Sequence, residues 1–132
     1  MRGREVQSFE RTLKRLFDEI DHELEDRWGA DYPLHPSRLS RGRSSNSEHD
    51  GLFNVGASFS AGYGSEYGKG YVIEVRMVTL TDVERRVVEE IREYAARRVR
   101  ELLPRFFPDR TLEVVREDDL FKIIGDLSLG TA

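Results

Sequence analysis

The chain has 132 residues, 21 of them basic and 25 acidic, a formal charge of −4 and no cysteine. That length suits one domain burying roughly two-thirds of its unfolded surface in a single core. The absence of cysteine excludes disulfides, thiolate metal sites and a Cys nucleophile, and no apolar run approaches the ~18 residues of a membrane span.

The opening Met1-Arg2-Gly3-Arg4-Glu5 runs into an amphipathic stretch instead of a signal-peptide core, so a soluble, cytoplasmic protein without membrane contact is expected. Eighteen of the 21 basic residues are Arg, the others being Lys14, Lys69 and Lys122. Arg suits bidentate contact with carboxylate or phosphate, but a negative total charge favours ion-paired helix surfaces.

Glu5 to Trp28 is expected to form a long helix. Val6, Phe9, Leu13, Leu16, Phe17, Ile20 and Leu24 recur at steps of three and four, leaving one apolar stripe and one charged face. Gly29 and Pro33 end it. Glu23 interrupts the short heptad pattern, so the stripe is expected to pack on the domain or on a second copy. Residues 29–50 contain Pro33, Pro36, Gly42 and a run of serines, and are expected to form a flexible linker.

From Leu52 the period changes to two. Phe53, Val55, Ala57 and Phe59 alternate with Asn54, Gly56, Ser58 and Ser60, and Tyr71, Ile73, Val75 and Met77 alternate with Val72, Glu74, Arg76 and Val78. These are two half-buried strands of an antiparallel hairpin, joined by the Gly-rich segment 61–70. Thr81-Asp82-Val83-Glu84 has capping-box spacing and is expected to open a helix running to Leu103, which Pro104 ends. Leu112 to Val115 and Leu120 to Ile124 are two further strands around the turn Glu117-Asp118-Asp119.

The expected fold is therefore α+β, a two-layer sandwich in α-β-β-α-β-β order. A four-stranded, mainly antiparallel sheet lies under one long covering helix, with an N-terminal amphipathic helix added. Residues 1–28 are the first helix, 29–50 the linker and 51–132 the α+β domain.

The Gly-rich loop is the sharpest motif. Gly62, Gly64, Gly68 and Gly70 resemble an anion cradle in composition, with Ser65 and Lys69 between them. The dinucleotide and Walker motifs both require a helix directly after the loop, and here a strand follows. A kinase hairpin loop needs a lysine in the next strand, and Val72 to Val78 has none. A structural hairpin loop is thus the stronger expectation.

Arg38, Arg41 and Arg43 form a basic cluster among serines, a candidate phosphate or nucleic-acid contact. His22, His35 and His49 lack ligand spacing, so no metal and no cofactor is expected, and Asp18 and Asp21 suit a solvated helix face. No nucleophile elbow or selected carboxylate pair exists, so no catalytic residue is assigned. Lys122, inside an apolar run, is expected to point outward. The apolar run continues towards the C-terminus, which is expected to be docked.

The leading functional expectation is a non-enzymatic interaction module forming a homodimer through Phe9, Leu13, Leu16, Phe17, Ile20 and Leu24. The alternatives are an anion- or nucleic-acid-binding module using the Arg cluster and the Gly-rich loop, and a small enzyme with its site between subunits.

Overall fold

The 3.6-residue apolar period of the first segment and the two-residue period after Leu52 generate the architecture directly. A computed structural model describes residues 3–43 and 50–127. The order is α1 (Arg4–Trp28), β1 (Phe53–Ser60), β2 (Gly70–Met77), α2 (Arg85–Phe106), β3 (Leu112–Glu117) and β4 (Leu120–Gly125). Two hairpins, β1–β2 and β3–β4, are linked through α2, and β4 docks beside β2 to give one open antiparallel sheet ordered β1-β2-β4-β3. The outer strands are β1 and β3.

Strand alternation separates the two faces. Phe53, Val55, Tyr71, Ile73, Val114, Phe121 and Ile123 are buried beneath the helices. The other face is mixed, with Ser58, Glu74, Glu117 and Lys122 beside Val72, Val115, Leu120 and Ile124. The turn between β3 and β4 is Asp118-Asp119, with Asp118 at φ 56°, the left-handed conformation a two-residue hairpin needs.

The stripe of α1 is buried within its own chain. Phe9, Leu13, Leu16, Phe17, Ile20 and Leu24 are all at most 4% exposed. Phe9 lies between the rings of Tyr71 and Phe107, at centroid distances of 5.5 and 4.7 Å. Glu23 joins α1 to α2: it accepts from Arg98 Nε at 2.7 Å, Arg98 Nη2 at 2.9 Å and the Tyr94 hydroxyl at 3.0 Å. The stripe expected to meet a partner is therefore occupied in cis, because the four-stranded sheet and α2 together offer it enough apolar surface.

Four local expectations need correction. The helix after the second strand begins at Arg85, with Glu84 as N-cap and no side-chain cap, so the Thr81 capping box does not form. The Thr81 amide is instead taken by the Thr79 hydroxyl at 3.2 Å. Pro104 lies inside the last turn of α2, which continues to Phe106. Proline removes one N–H there, while Phe107 N bonds Leu103 O at 2.8 Å and its buried ring anchors the turn on Phe9. Asp21 is 5% exposed rather than solvated.

The fourth correction concerns the linker. In residues 29–43, His35 N donates to Val78 O at 3.1 Å, and Leu39 forms a bridge with Asp50. This stretch is laid on the domain, held by its backbone. The rest of the expected linker, 44–49, lies outside the described residues, as does the chain end beyond Leu127. Leu127 itself is buried.

Candidate functional site

The residues singled out in the sequence fall into separate places. The Gly-rich loop folds back over the open face of the sheet and is fastened there by Lys122 of the central strand β4. Lys122 is 4% exposed, in contrast to its expected outward position. Its Nζ donates to Ser65 Oγ at 2.7 Å and Gly68 O at 2.8 Å, and pairs with Glu117 Oε1 at 3.1 Å. Those contacts use all three ammonium donors.

Ser65 is equally committed. Its hydroxyl donates to Glu117 at 2.6 Å and accepts from Tyr67 N at 3.1 Å as well as from Lys122. The Glu66 amide adds a bond to Glu117 Oε2 at 2.8 Å. The Ser65 hydroxyl, then the Lys122 ammonium, hold the Glu117 carboxyl below its ordinary pKa.

Glycine makes this closure possible. Gly62 has φ 82°, and a side chain there would collide with the backbone of Gly68 and Lys69. At Gly70 a Cβ would come within 2.8 Å of Lys122 Cγ, so that position is cut away for the lysine stem. Ser, Lys and Glu in contact suggest a nucleophile and base, but the directions of the bonds say otherwise. Both acceptor positions of Ser65 are filled, and an ammonium ion-paired with Glu117 has no lone pair to take a proton. The cluster is a polar rivet fixing the loop, while Gly64 and the exposed Lys69 lie outside it.

The Arg cluster is divided. Arg38 donates to three backbone carbonyls, Gly51 O at 2.9 Å, Asp50 O at 3.0 Å and Phe53 O at 2.9 Å. Arg41 pairs with Asp26 at 2.7 Å and reaches His22 O at 3.3 Å. Arg43 is exposed. The three therefore do not converge on one anion: Arg38 fastens the entry to β1, where Glu25 also accepts from Leu52 N and Phe53 N.

A groove of about 360 Å³ runs between α1 and β1. Its apolar walls are Leu13, Phe17, Val55, Ala57 and Phe59, with Glu10 and Lys14 of opposite charge at its rim. Phe59 is 50% exposed, a large aromatic at the rim of the sheet, packed edge-on to Tyr71 at 5.5 Å. Among the described residues no group of three or more His, Asp or Glu is placed to hold a metal ion, and no helix is long and apolar enough to cross a membrane.

Residues 4–125 match the model of a protein family described as "Uncharacterised protein". The chain belongs to this family. A relative described as "Uncharacterized protein", from Borreliella burgdorferi (strain ATCC 35210 / DSM 4680 / CIP 102532 / B31), is 37% identical over 117 residues, covering 89% of this chain and 91% of the relative. No solved structure matches the chain. The family match spans all six elements, from the start of α1 to the end of β4.

Sequence reasoning missed the roles of Lys122 and Glu117. A partial signal was present, because the hairpin register puts both on one face of β3–β4. The fold-back of a loop from the other hairpin has no such signature.

Proposed function

We propose that the chain is a non-enzymatic interaction module that self-associates, and that its contact surface is the rim of β1 with the adjoining groove. The single observation carrying this reading is that β1 is an outer strand of eight residues without a charge or a proline, with a half-exposed Phe59 just before its last residue. Sheet edges of that kind are prone to pair with another chain, and proteins usually blunt them with charge. The opposite edge, β3, is blunted: Glu113, Arg116 and Glu117 lie among its six residues.

The other readings draw less support. For an anion-binding module, Arg38 and Arg41 are engaged internally and the Gly-rich loop is closed on itself, leaving Arg43 and Lys69. For an enzyme, the one Ser–Lys–Glu cluster is saturated. Sedimentation equilibrium between about 1 µM and 500 µM tests the leading reading, the range in which weak pairs separate. A reversible monomer–dimer equilibrium is the expected result, and a monomer at every concentration contradicts it.

A further inference from the structure

The hydrogen bonds at the start of β1 fix the direction of every backbone group along it. Val78 N donates to Leu52 O at 2.7 Å, so Leu52 turns its carbonyl towards β2. Phe53, the first strand residue, turns both groups away from β2: its N–H goes to Glu25 at 3.1 Å and its carbonyl accepts from Arg38 at 2.9 Å, while the Leu52 N–H just before the strand also goes to Glu25. In an antiparallel ladder the two groups of one residue point the same way and the direction alternates. Asn54, Gly56, Ser58 and Ser60 therefore bond β2, whereas Val55, Ala57 and Phe59 turn their N–H and C=O out of the sheet. No further strand lies on that side among the described residues. Phe53, the first outward residue, is already closed by Glu25 and Arg38.

We infer that a second copy of this chain fills this edge, β1 pairing antiparallel with the partner's β1 about a two-fold axis through Ala57. This rests on the self-association reading above and specifies its geometry. With Ala57 on the axis, Ala57 faces the partner's Ala57, and Val55 faces the partner's Phe59. Each is a pair that exchanges both backbone bonds, so every outward N–H of Val55, Ala57 and Phe59 in both copies finds a carbonyl.

Shifting the axis to Gly56 or Ser58 leaves part of that set unmatched, or requires Phe53, whose groups are taken. The Ala57 register also keeps the faces in phase. Val55 and the partner's Phe59 meet on the helix-covered side, an aromatic and β-branched cross-strand pair beside the groove. Gly56 meets the partner's Ser58, and Asn54 meets the partner's Ser60, on the polar side.

A two-fold contact brings each charge near the axis close to its own copy, so an isologous edge must be uncharged at its centre. β1 meets that requirement along its whole length. The result is one continuous eight-stranded sheet with the helices of both copies on the same side. Its contact is one strand edge plus Phe59, smaller than the ~800 Å² per partner of a standard interface, so the affinity belongs in the micromolar range.

The native chain has no cysteine, so an engineered one reports only the designed contact. Ala57→Cys places two Cα atoms ~5.5 Å apart across the axis, within reach of a disulfide. Asn54→Cys mixed with Ser60→Cys provides an independent pair on the solvent-facing side that leaves the groove untouched. Full-length variants at about 100 µM under mild oxidation are expected to form the Ala57 homodimer, and the 54–60 mixture a heterodimer. Both should form about tenfold faster than Glu113→Cys on the opposite edge, because pairing raises the local thiol concentration.

Two results overturn the inference in distinguishable ways. If sedimentation detects a dimer but neither β1 pair cross-links faster than Glu113→Cys, self-association stands and this surface is wrong. If the wild-type chain stays monomeric, both fall. Should Ala57→Cys fail to fold by circular dichroism, the 54–60 mixture decides the matter.

Discussion

Lys122 shows how one side chain organises a loop that composition alone leaves open. A buried ammonium is tolerable only when its donors are met, and here a hydroxyl, a carbonyl and a carboxylate meet them. Lys122→Ala removes the bolt and leaves Ser65 and Gly68 without it. Urea unfolding is expected to show a loss of about 3 kcal/mol, with faster amide exchange at Glu66 and Tyr67. Unchanged exchange there would contradict the riveted loop.

The same carboxylates set the acid limit. Glu23 is lowered from 4.5 chiefly by its hydrogen bond to Arg98, and Glu117 is lowered by Ser65 and Lys122. Both folded pKa values lie below the unfolded ones, so their contribution is complete above about 4.5 and is lost as pH falls through the lowered values. Urea midpoints of the wild type should fall below that pH. In Glu23→Gln and Glu117→Gln the fall should be shallower, and an equally steep fall would show that these two groups do not carry it.

At the scale of elements, α1 is a structural layer. Seven of its apolar residues, the six of the stripe and Trp28, belong to the core over β1 and against α2, and Phe9 alone bridges Tyr71 and Phe107. Phe9→Ala is expected to cost about 3–5 kcal/mol, and deleting residues 1–28 should abolish cooperative unfolding altogether. A truncated chain that still melts cooperatively would return the stripe to the role of an interface.

The Gly-rich connection is constrained in the same sense. Gly70→Ala sets a methyl against the Ile123 carbonyl at 2.5 Å and the Lys122 stem, and about 1–3 kcal/mol of destabilisation in urea is expected. Arg38→Ala should cost about 2–3 kcal/mol by freeing the entry to β1.

These elements also show what was legible in advance. Helix and strand order followed from the periods of 3.6 and two, because local sequence decides which face is apolar. The end of α2 did not follow, since the ring of Phe107 pulls a proline-containing turn onto Phe9 across the molecule. The 29–43 segment looked like a linker because its fastenings are backbone bonds and two arginines, Arg38 and Arg41, which leave no pattern in hydropathy. Lys122 needed the pairing of β2 with β4 and the return of a loop from the other hairpin, both non-local.

For the whole molecule, the asymmetry between its two sheet edges matters most. β3 carries three charges in six residues, and β1 carries none in eight. The internal sites that resembled chemistry are saturated by their own neighbours, while the outward backbone of β1 at Val55, Ala57 and Phe59 faces away from the sheet beside an apolar groove. Phe59→Glu puts a charge at the position that the proposed two-fold pairs with the partner's Val55. The dimer should weaken at least about tenfold in sedimentation with little change in urea midpoint, because Phe59 is half exposed in the single chain.

The most direct measurement is amide hydrogen exchange resolved along β1 at about 5 µM and 500 µM protein, either side of a micromolar dissociation constant. The amides of Val55, Ala57 and Phe59 should be fast in the dilute sample and protected in the concentrated one, while those of Asn54, Gly56 and Ser58, bonded to β2, stay slow in both. Exchange at Val55, Ala57 and Phe59 that does not depend on concentration would contradict self-association through this edge.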